Sequence, residues 1–301
     1  MNLSSKKAPF RELFCNVNKY CILKDKDVFC KGNRSAGRRN LLGAIIGDIV
    51  GSPYEFHNIK TKEFELFNDA SCFTDDTILT CATAEWLLTN EKPEKILRKW
   101  GNLYKNRTYE NGKVAAFGSG FMRWLETGQA YQAKTNGCIM RLSPIPLMVE
   151  DVKKALRKAV ELTSITHNHP ESLTAARAYI ETMYHVKKGI KPAIIKNYIS
   201  HKFGYDLSAS VDEIRPEYNK FYCSCKKSVP QAIICALDAE SYEDAIRNAV
   251  SLGGDSDTLA CMAGGIAEMK FGVPKYLKQK VAAYLDGNVA AMVSRFYENL
   301  R

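Results

Sequence analysis

Residues 73–88 read FTDDTILTCATAEWLL, two adjacent carboxylates bracketed by threonines on the threshold of an apolar run. Thr74 or Asp75 can cap a helix that starts here, and acidic residues in a first turn are favoured by the helix dipole. The arrangement recurs at residues 253–265, GGDSDTLACMAGG, where Asp255, Asp257 and Thr258 open a second apolar helix. Two readings stay open on these residues alone. They are two unrelated helix caps, or the two entrances meet and surround one point with four carboxylates and the hydroxyls of Thr74 and Thr258. Side chains one or two apart diverge on a regular helix, but at an entrance the backbone is not yet regular and they can converge. Four carboxylates in a small volume disfavour one another's ionisation unless cations compensate. All-oxygen ligands are hard, so Mg²⁺, Mn²⁺ or Ca²⁺ suits them better than zinc or copper, and four carboxylates suit two ions better than one.

Outward from these entrances the chain reads as helix after helix. DVKKALRKAVELTS (151–164), ESLTAARAYIETMYHVKKG (171–189), PQAIICALDA (230–239) and YEDAIRNAVSL (242–252) repeat apolar residues at three- and four-residue spacing. Gly, Pro, Ser or Asp marks several of their boundaries. The best strand candidate is the short KTKEFELF (60–67), and Pro144 and Pro146 predict a loop. The expected fold is all-α, one helical domain over residues 41–301 without an internal boundary.

The 301 residues carry a formal charge of +10, unevenly spread. Residues 1–40 hold ten Lys/Arg against three acids, or +7, which leaves +3 for the other 261 residues. The basicity therefore belongs to an N-terminal extension, expected to be a solvated arm. A nucleic-acid partner would rest on that arm alone and is not expected. The arm has no long apolar run, and nothing elsewhere has the length of a membrane span, so no membrane association is expected. Ten cysteines without an export signal predict a reducing, cytoplasmic setting with mostly free thiols. Cys223 and Cys225 form a CxC pair that lacks the paired spacing of a zinc site.

In LLGAIIGDIVGSPYE (41–55), Gly43, Gly47 and Gly51 sit four apart, the spacing of close helix packing. That accounts for the glycines but not for Asp48 within an apolar run, nor for Glu55 beyond the break at Pro53. Two glycine-bearing islands, FGSGFMRWL (117–125) and TNGCIMRLSPI (135–145), offer backbone that can approach a ligand and present its amides. THNHPE (166–171) places His167 and His169 before a helix, where capping and hydrogen bonding are favoured over metal binding.

Taken in order, GAIIGDIVGSPYE, FTDDT, NGCIMRLSPI, THNHPE and LGGDSDTLACMAGGIAE resemble the ADP-ribosylglycohydrolase family, over about residues 41–301. The resemblance implies a compact, orthogonally packed multi-helix bundle with a binuclear Mg²⁺ site in which Mn²⁺ can substitute. It implies Thr74, Asp75 and Asp76 as one set of metal ligands and Asp255, Asp257 and Thr258 as the other. Glu55 matches a glutamate implicated in catalysis and is expected to act without holding the ions, with Asp76 and Asp257 as further catalytic candidates. Gly118, Ser119, Gly120, Asn136 and Gly137 fall where the family contacts ADP-ribose, and His167 aligns with a histidine near the cleft. The implied reaction is hydrolysis, by a monomer, of the N- or O-glycosidic bond between ADP-ribose and a modified protein side chain or small acceptor. Cys138 and Ile139 depart from the small residues common at their positions, and the basic arm lies outside the family pattern. The family also has inactive relatives, so a catalytically silent, crystallin-like or ADP-ribose- and metal-binding protein is the alternative.

Overall fold

A computed structural model describes residues 41–108 and 117–300. The first half holds α1 (Leu42–Gly51), α2 (Asp75–Leu88), α3 (Pro93–Tyr104), α4 (Ser119–Thr127), α5 (Pro144–Met148), α6 (Val152–Ser164) and α7 (Pro170–Lys187). The second holds α8 (Pro192–Phe203), α9 (Val211–Glu217), α10 (Cys225–Leu237), α11 (Tyr242–Leu252), α12 (Ser256–Phe271), α13 (Lys275–Val281) and α14 (Gly287–Glu298). Among the described residues there is no strand, only two isolated bridges, and the protein is all-α. The arm expected at residues 1–40 lies outside the described residues.

The centre is α1 packed on α12. Every residue of α1 is buried, as is Ser256–Met269 of α12, so neither helix turns a face to solvent over those residues. Helices so largely apolar on every side belong in a core. The glycines set how close the two come. A Cβ on Gly43 would stand 2.6 Å from Gly264 O, one on Gly47 2.0 Å from Ala260 O, and one on Gly51 2.5 Å from Asp257 Cα. Rising numbers on α1 meet falling numbers on α12, so the pair is antiparallel and the C-terminal end of α1 abuts the N-terminal end of α12. Around this pair α12 also packs on α11, α10 and α7, while α2 lies against α3 and α14.

Helix starts follow the sequence signals. Pro93, Pro144, Pro170 and Pro192 each stand at the first helical position, where no N–H is needed. The side chains of Asp151, Ser210, Ser241 and Asp286 accept from first-turn N–H groups.

Three local expectations need correction. Residues 60–67 form no strand: Arg247 donates to Lys62 O and Phe64 O at 2.8 Å each, and Lys62 pairs with Asp244. With its carbonyls taken by a side chain of α11, the segment needs no partner strand. Residues 144–148, expected as loop, form the short helix α5, because both prolines fall in a first turn that needs no N–H donors. α10 begins at Cys225, five residues before Pro230, and carries that proline inside.

Candidate functional site

The two acidic entrances meet. Thr258 Oγ1 donates to Asp76 Oδ2 at 3.3 Å. Carboxylate oxygens of Asp48, Asp76 and Asp257 lie within 4.8 Å of one another, as do those of Glu55, Asp255 and Asp257, so the two groups share Asp257.

The central helix pair brings them together. Because Gly51 rests on Asp257, the chain leaving α1 carries half-buried Glu55 to the mouth of α12. One turn earlier on α1, Asp48 reaches the mouth of α2. Its Oδ2 accepts from Thr74 N (2.9 Å), Thr77 N (3.0 Å) and the Thr77 hydroxyl, and its Oδ1 accepts from Thr74 Oγ1 (2.7 Å). An acid at a helix N-terminus is favoured by the dipole, and here it comes from another helix. Four donors occupy Asp48, which explains a carboxylate in an apolar run.

Capping does not account for the remaining acids. Thr74 does cap α2, accepting from Asp76 N at 3.3 Å, but Asp255 makes no side-chain cap at α12. Instead Asp255 Oδ2 accepts from Asn136 Nδ2 at 2.6 Å. Asp76 Oδ1 is buried without a hydrogen-bond partner. A buried, unpartnered carboxylate oxygen among other carboxylates is costly unless a cation satisfies it. Burial first, and then the neighbouring carboxylates, push Asp76, Asp257 and half-buried Asp75 well above the usual carboxylate range. Asp48 and Asp255 are also raised, burial outweighing their hydrogen bonds. The donor set is all oxygen and clustered in two adjoining groups, so the residues present fit hard divalent cations.

Sequence reasoning missed the clasp that holds the mouth of the site. Gly253 and Gly254 both have positive φ, +74° and +73°, giving a turn from α11 into α12 that only glycine adopts freely. Asn58 reads that turn: its Oδ1 accepts from Gly254 N at 2.7 Å and its Nδ2 donates to Gly254 O at 3.0 Å. The same Nδ2 donates to Tyr54 O and Glu55 O at 2.7 and 3.0 Å, so Asn58 joins the Glu55 segment to the Asp255 segment. A lone asparagine in a polar stretch carries no signal of such a role.

His167 is buried, and both its ring nitrogens are engaged. Nδ1 lies 2.8 Å from Thr166 Oγ1 and Nε2 lies 2.8 Å from Thr135 Oγ1. Arg141 Nη2 donates to Thr166 Oγ1 at 2.7 Å, so the Thr166 proton goes to Nδ1 and the ring donates from Nε2 to Thr135. Burial, aided by the Arg141 charge, lowers this histidine to about 3, which keeps the ring neutral. Thr135 immediately precedes Asn136, so the ring braces the loop that reaches Asp255. His169 caps α7, accepting from Glu171 N. Gly118, Ser119 and Gly120 open α4, where a Cβ on Gly120 would stand 2.7 Å from the Tyr131 ring. Tyr131 in turn packs on His167, ring centroids 4.6 Å apart. The glycine island thus adjoins the acidic site through Tyr131 and His167.

An all-α fold with two acidic helix mouths joined in one buried site defines a class, and the comparisons with known proteins agree with it. The family model for ADP-ribosylglycohydrolases matches residues 32–300, and the chain belongs to that family and is a glycosidic-bond hydrolase. Relatives include the bovine (Bos taurus) ADP-ribosylhydrolase ARH3, 25% identical over 83% of this chain and 90% of the bovine protein. The ADP-ribosylarginine hydrolase Tri1 of Pseudomonas putida (strain GB-1) is 26% identical over 80% of this chain and 73% of its own. A solved ADP-ribosylglycohydrolase-related protein complex superposes with a TM-score of 0.61 at 19% identity, covering 87% of this chain and 96% of that one, and so shares the fold. Among the described residues no helix is long and apolar enough to cross a membrane.

Proposed function

We propose that this protein is a Mg²⁺-dependent hydrolase that removes ADP-ribose from a modified protein side chain or a small acceptor by cleaving an N- or O-glycosidic bond. The observation that carries the reading is the pair of acidic groups sharing Asp257, with the unpartnered Asp76 Oδ1 beside them. Two adjoining groups suit two ions, held by Asp76, Asp255 and Asp257 with Thr74, Asp75 and Thr258 around them. When bound, the cations supply Lewis-acid polarisation and lower the pKa of a water.

The chain's own residues do the rest. Asp48 holds the Thr74–Thr77 turn, so the α2 carboxylates keep their aim. Asn136 fixes Asp255 while its loop, with Gly137, receives the ribose and phosphates, and His167 braces that loop. Gly118–Gly120 present the N–H groups of α4 to the pyrophosphate. Breaking the bond at the ribose anomeric carbon develops positive charge on the sugar, which nearby carboxylates stabilise. Glu55, at the mouth, takes a proton from the attacking water or gives one to the leaving group.

The test is a panel of defined ADP-ribosyl conjugates on arginine, serine and O-acetyl acceptors, scored for ADP-ribose release. Release is expected to vanish with chelator and return with Mg²⁺ or Mn²⁺, and Asp76→Asn or Asp257→Asn is expected to abolish it in a folded protein. Full turnover after exhaustive chelation would sink the metal-dependent reading.

A further inference from the structure

Behind the Asn136 loop two buried thiols face one carbonyl. Cys138 ends the turn Asn136–Cys138 and Cys225 opens α10; both are fully buried and reduced. Their segments are tied, Asn136 N–H donating to Cys223 O at 2.8 Å and Cys225 N–H to Lys134 O at 2.7 Å. The sulfurs of Cys138 and Cys225 stand 3.3 and 3.2 Å from Thr135 O and within hydrogen-bonding reach of each other, so each single S–H proton has both the carbonyl and the other sulfur as acceptors. Close by lies the Arg141 guanidinium, also fully buried, whose Nε and Nη1 have no hydrogen-bond partner. Burial alone would raise Cys138, but the Cys225 thiol and the Arg141 charge bring it below the usual thiol range, while Cys225 is pushed well up. The thiolate is the nucleophilic form of cysteine, and a neighbouring guanidinium favours it. A Cβ on Gly137 would meet nothing within 4 Å, so the turn that carries Cys138 has unfilled space at its preceding residue.

We propose that Cys138 and Cys225 form a reversible disulfide on exposure to hydrogen peroxide, and that this modification displaces the Asn136 loop and slows the enzyme. The Cys138 thiolate attacks one peroxide oxygen, the O–O bond breaks, hydroxide leaves and a sulfenic acid remains. Cys225 then attacks that sulfur, the S–O bond breaks, water leaves and the S–S bond forms, so the two sulfurs lose two electrons to the peroxide. The disulfide leaves no S–H proton for Thr135 O, one residue before the Asn136 side chain that holds Asp255. Leaving a buried acceptor unsatisfied is unfavourable, so the loop shifts. The effect on turnover rests on the hydrolase reading; the cross-link itself does not.

The experiment uses the full chain, reduced, then treated with hydrogen peroxide and freed of it. Mass spectrometry of digests is expected to find the Cys138 and Cys225 peptides joined and two hydrogens lighter. ADP-ribose release is expected to fall about tenfold, as for a misplaced contact near the reacting centre, and the thermal shift given by ADP-ribose to shrink. Dithiothreitol should restore all three. Cys225→Ser, whose hydroxyl keeps a donor for Thr135 O, should keep the reduced parent's rate, and both it and Cys225→Ala, each judged against its own reduced rate, should escape reversible inhibition. Absence of the joined peptide overturns the proposal, and so does a joined peptide with unchanged ADP-ribose response, or inhibition that persists in both variants. A reduced protein that hydrolyses no conjugate counts against the hydrolase reading alone, because cross-link and thermal shift are read without turnover.

Discussion

Glu55 stands half-buried with its carboxylate among those of Asp255 and Asp257, near enough to share an ion with them, whereas it was expected to act without holding one. Glu55→Gln should therefore do two things: slow hydrolysis at least ~100-fold at saturating Mg²⁺ and weaken Mg²⁺ binding. Single-turnover rates and calorimetric Mg²⁺ titration on the same preparation separate the effects, and an unchanged rate removes Glu55 from the chemistry. His167 makes a prediction in pH. Its ring has an ordinary value of 6.5 but is held near 3 in the fold. Below 6.5 the unfolded chain binds a proton there that the native state refuses, so the unfolded state gains as pH falls from 6.5 toward 3. His167 thus costs stability at acid pH, with a slope of about 1.4 kcal/mol per pH unit well below 6.5. Urea melts of the parent and His167→Gln between pH 4 and pH 7 check this, and parallel curves would show that the ring titrates normally.

At the scale of elements, α1 and α12 place the site by how closely they approach. A methyl group on Gly47 would drive into the backbone of Ala260, with neither helix free to retreat from the core. Gly47→Ala is expected to cost about 3 kcal/mol in urea unfolding and to reduce hydrolysis by parting Glu55 from Asp257. Gly137→Ala is the contrast, since its new methyl group meets open space. Stability should stay within about 0.5 kcal/mol of the parent, while ADP-ribose binding weakens if the backbone at Gly137 touches the ligand. Equal losses of stability in the two variants would refute the packing argument.

For the whole molecule, the acidic site is the place where the fold stores repulsion, and ligands should relieve it. ADP-ribose at about a hundred times its dissociation constant stabilises a binding-competent fold by roughly 2.7 kcal/mol. The shift should be largest with Mg²⁺ present and shrink after chelation, because the carboxylates then repel one another beside the bound ribose. Thermal melts across Mg²⁺ and ADP-ribose concentrations measure it. No response to ADP-ribose at any Mg²⁺ concentration would indicate a different ligand class.

Sequence alone determined the helical class, because three- and four-residue spacing of apolar residues and proline or hydroxyl caps are local properties. It also exposed the close approach of α1, since only glycine repeated every four residues allows two backbones to touch. It left the meaning of Asp75, Asp76, Asp255 and Asp257 divided between capping and a shared site. Tertiary structure decided that. The antiparallel register of α1 on α12 carries Glu55 to Asp257, and Asp48 ties the same helix to the mouth of α2. The bracing roles of Asn58 and His167, and the false strand at 60–67, were equally illegible, because each rests on partners far away in the chain. Distance in sequence hides such contacts, since a side chain carries no mark of the backbone it will meet once the core closes.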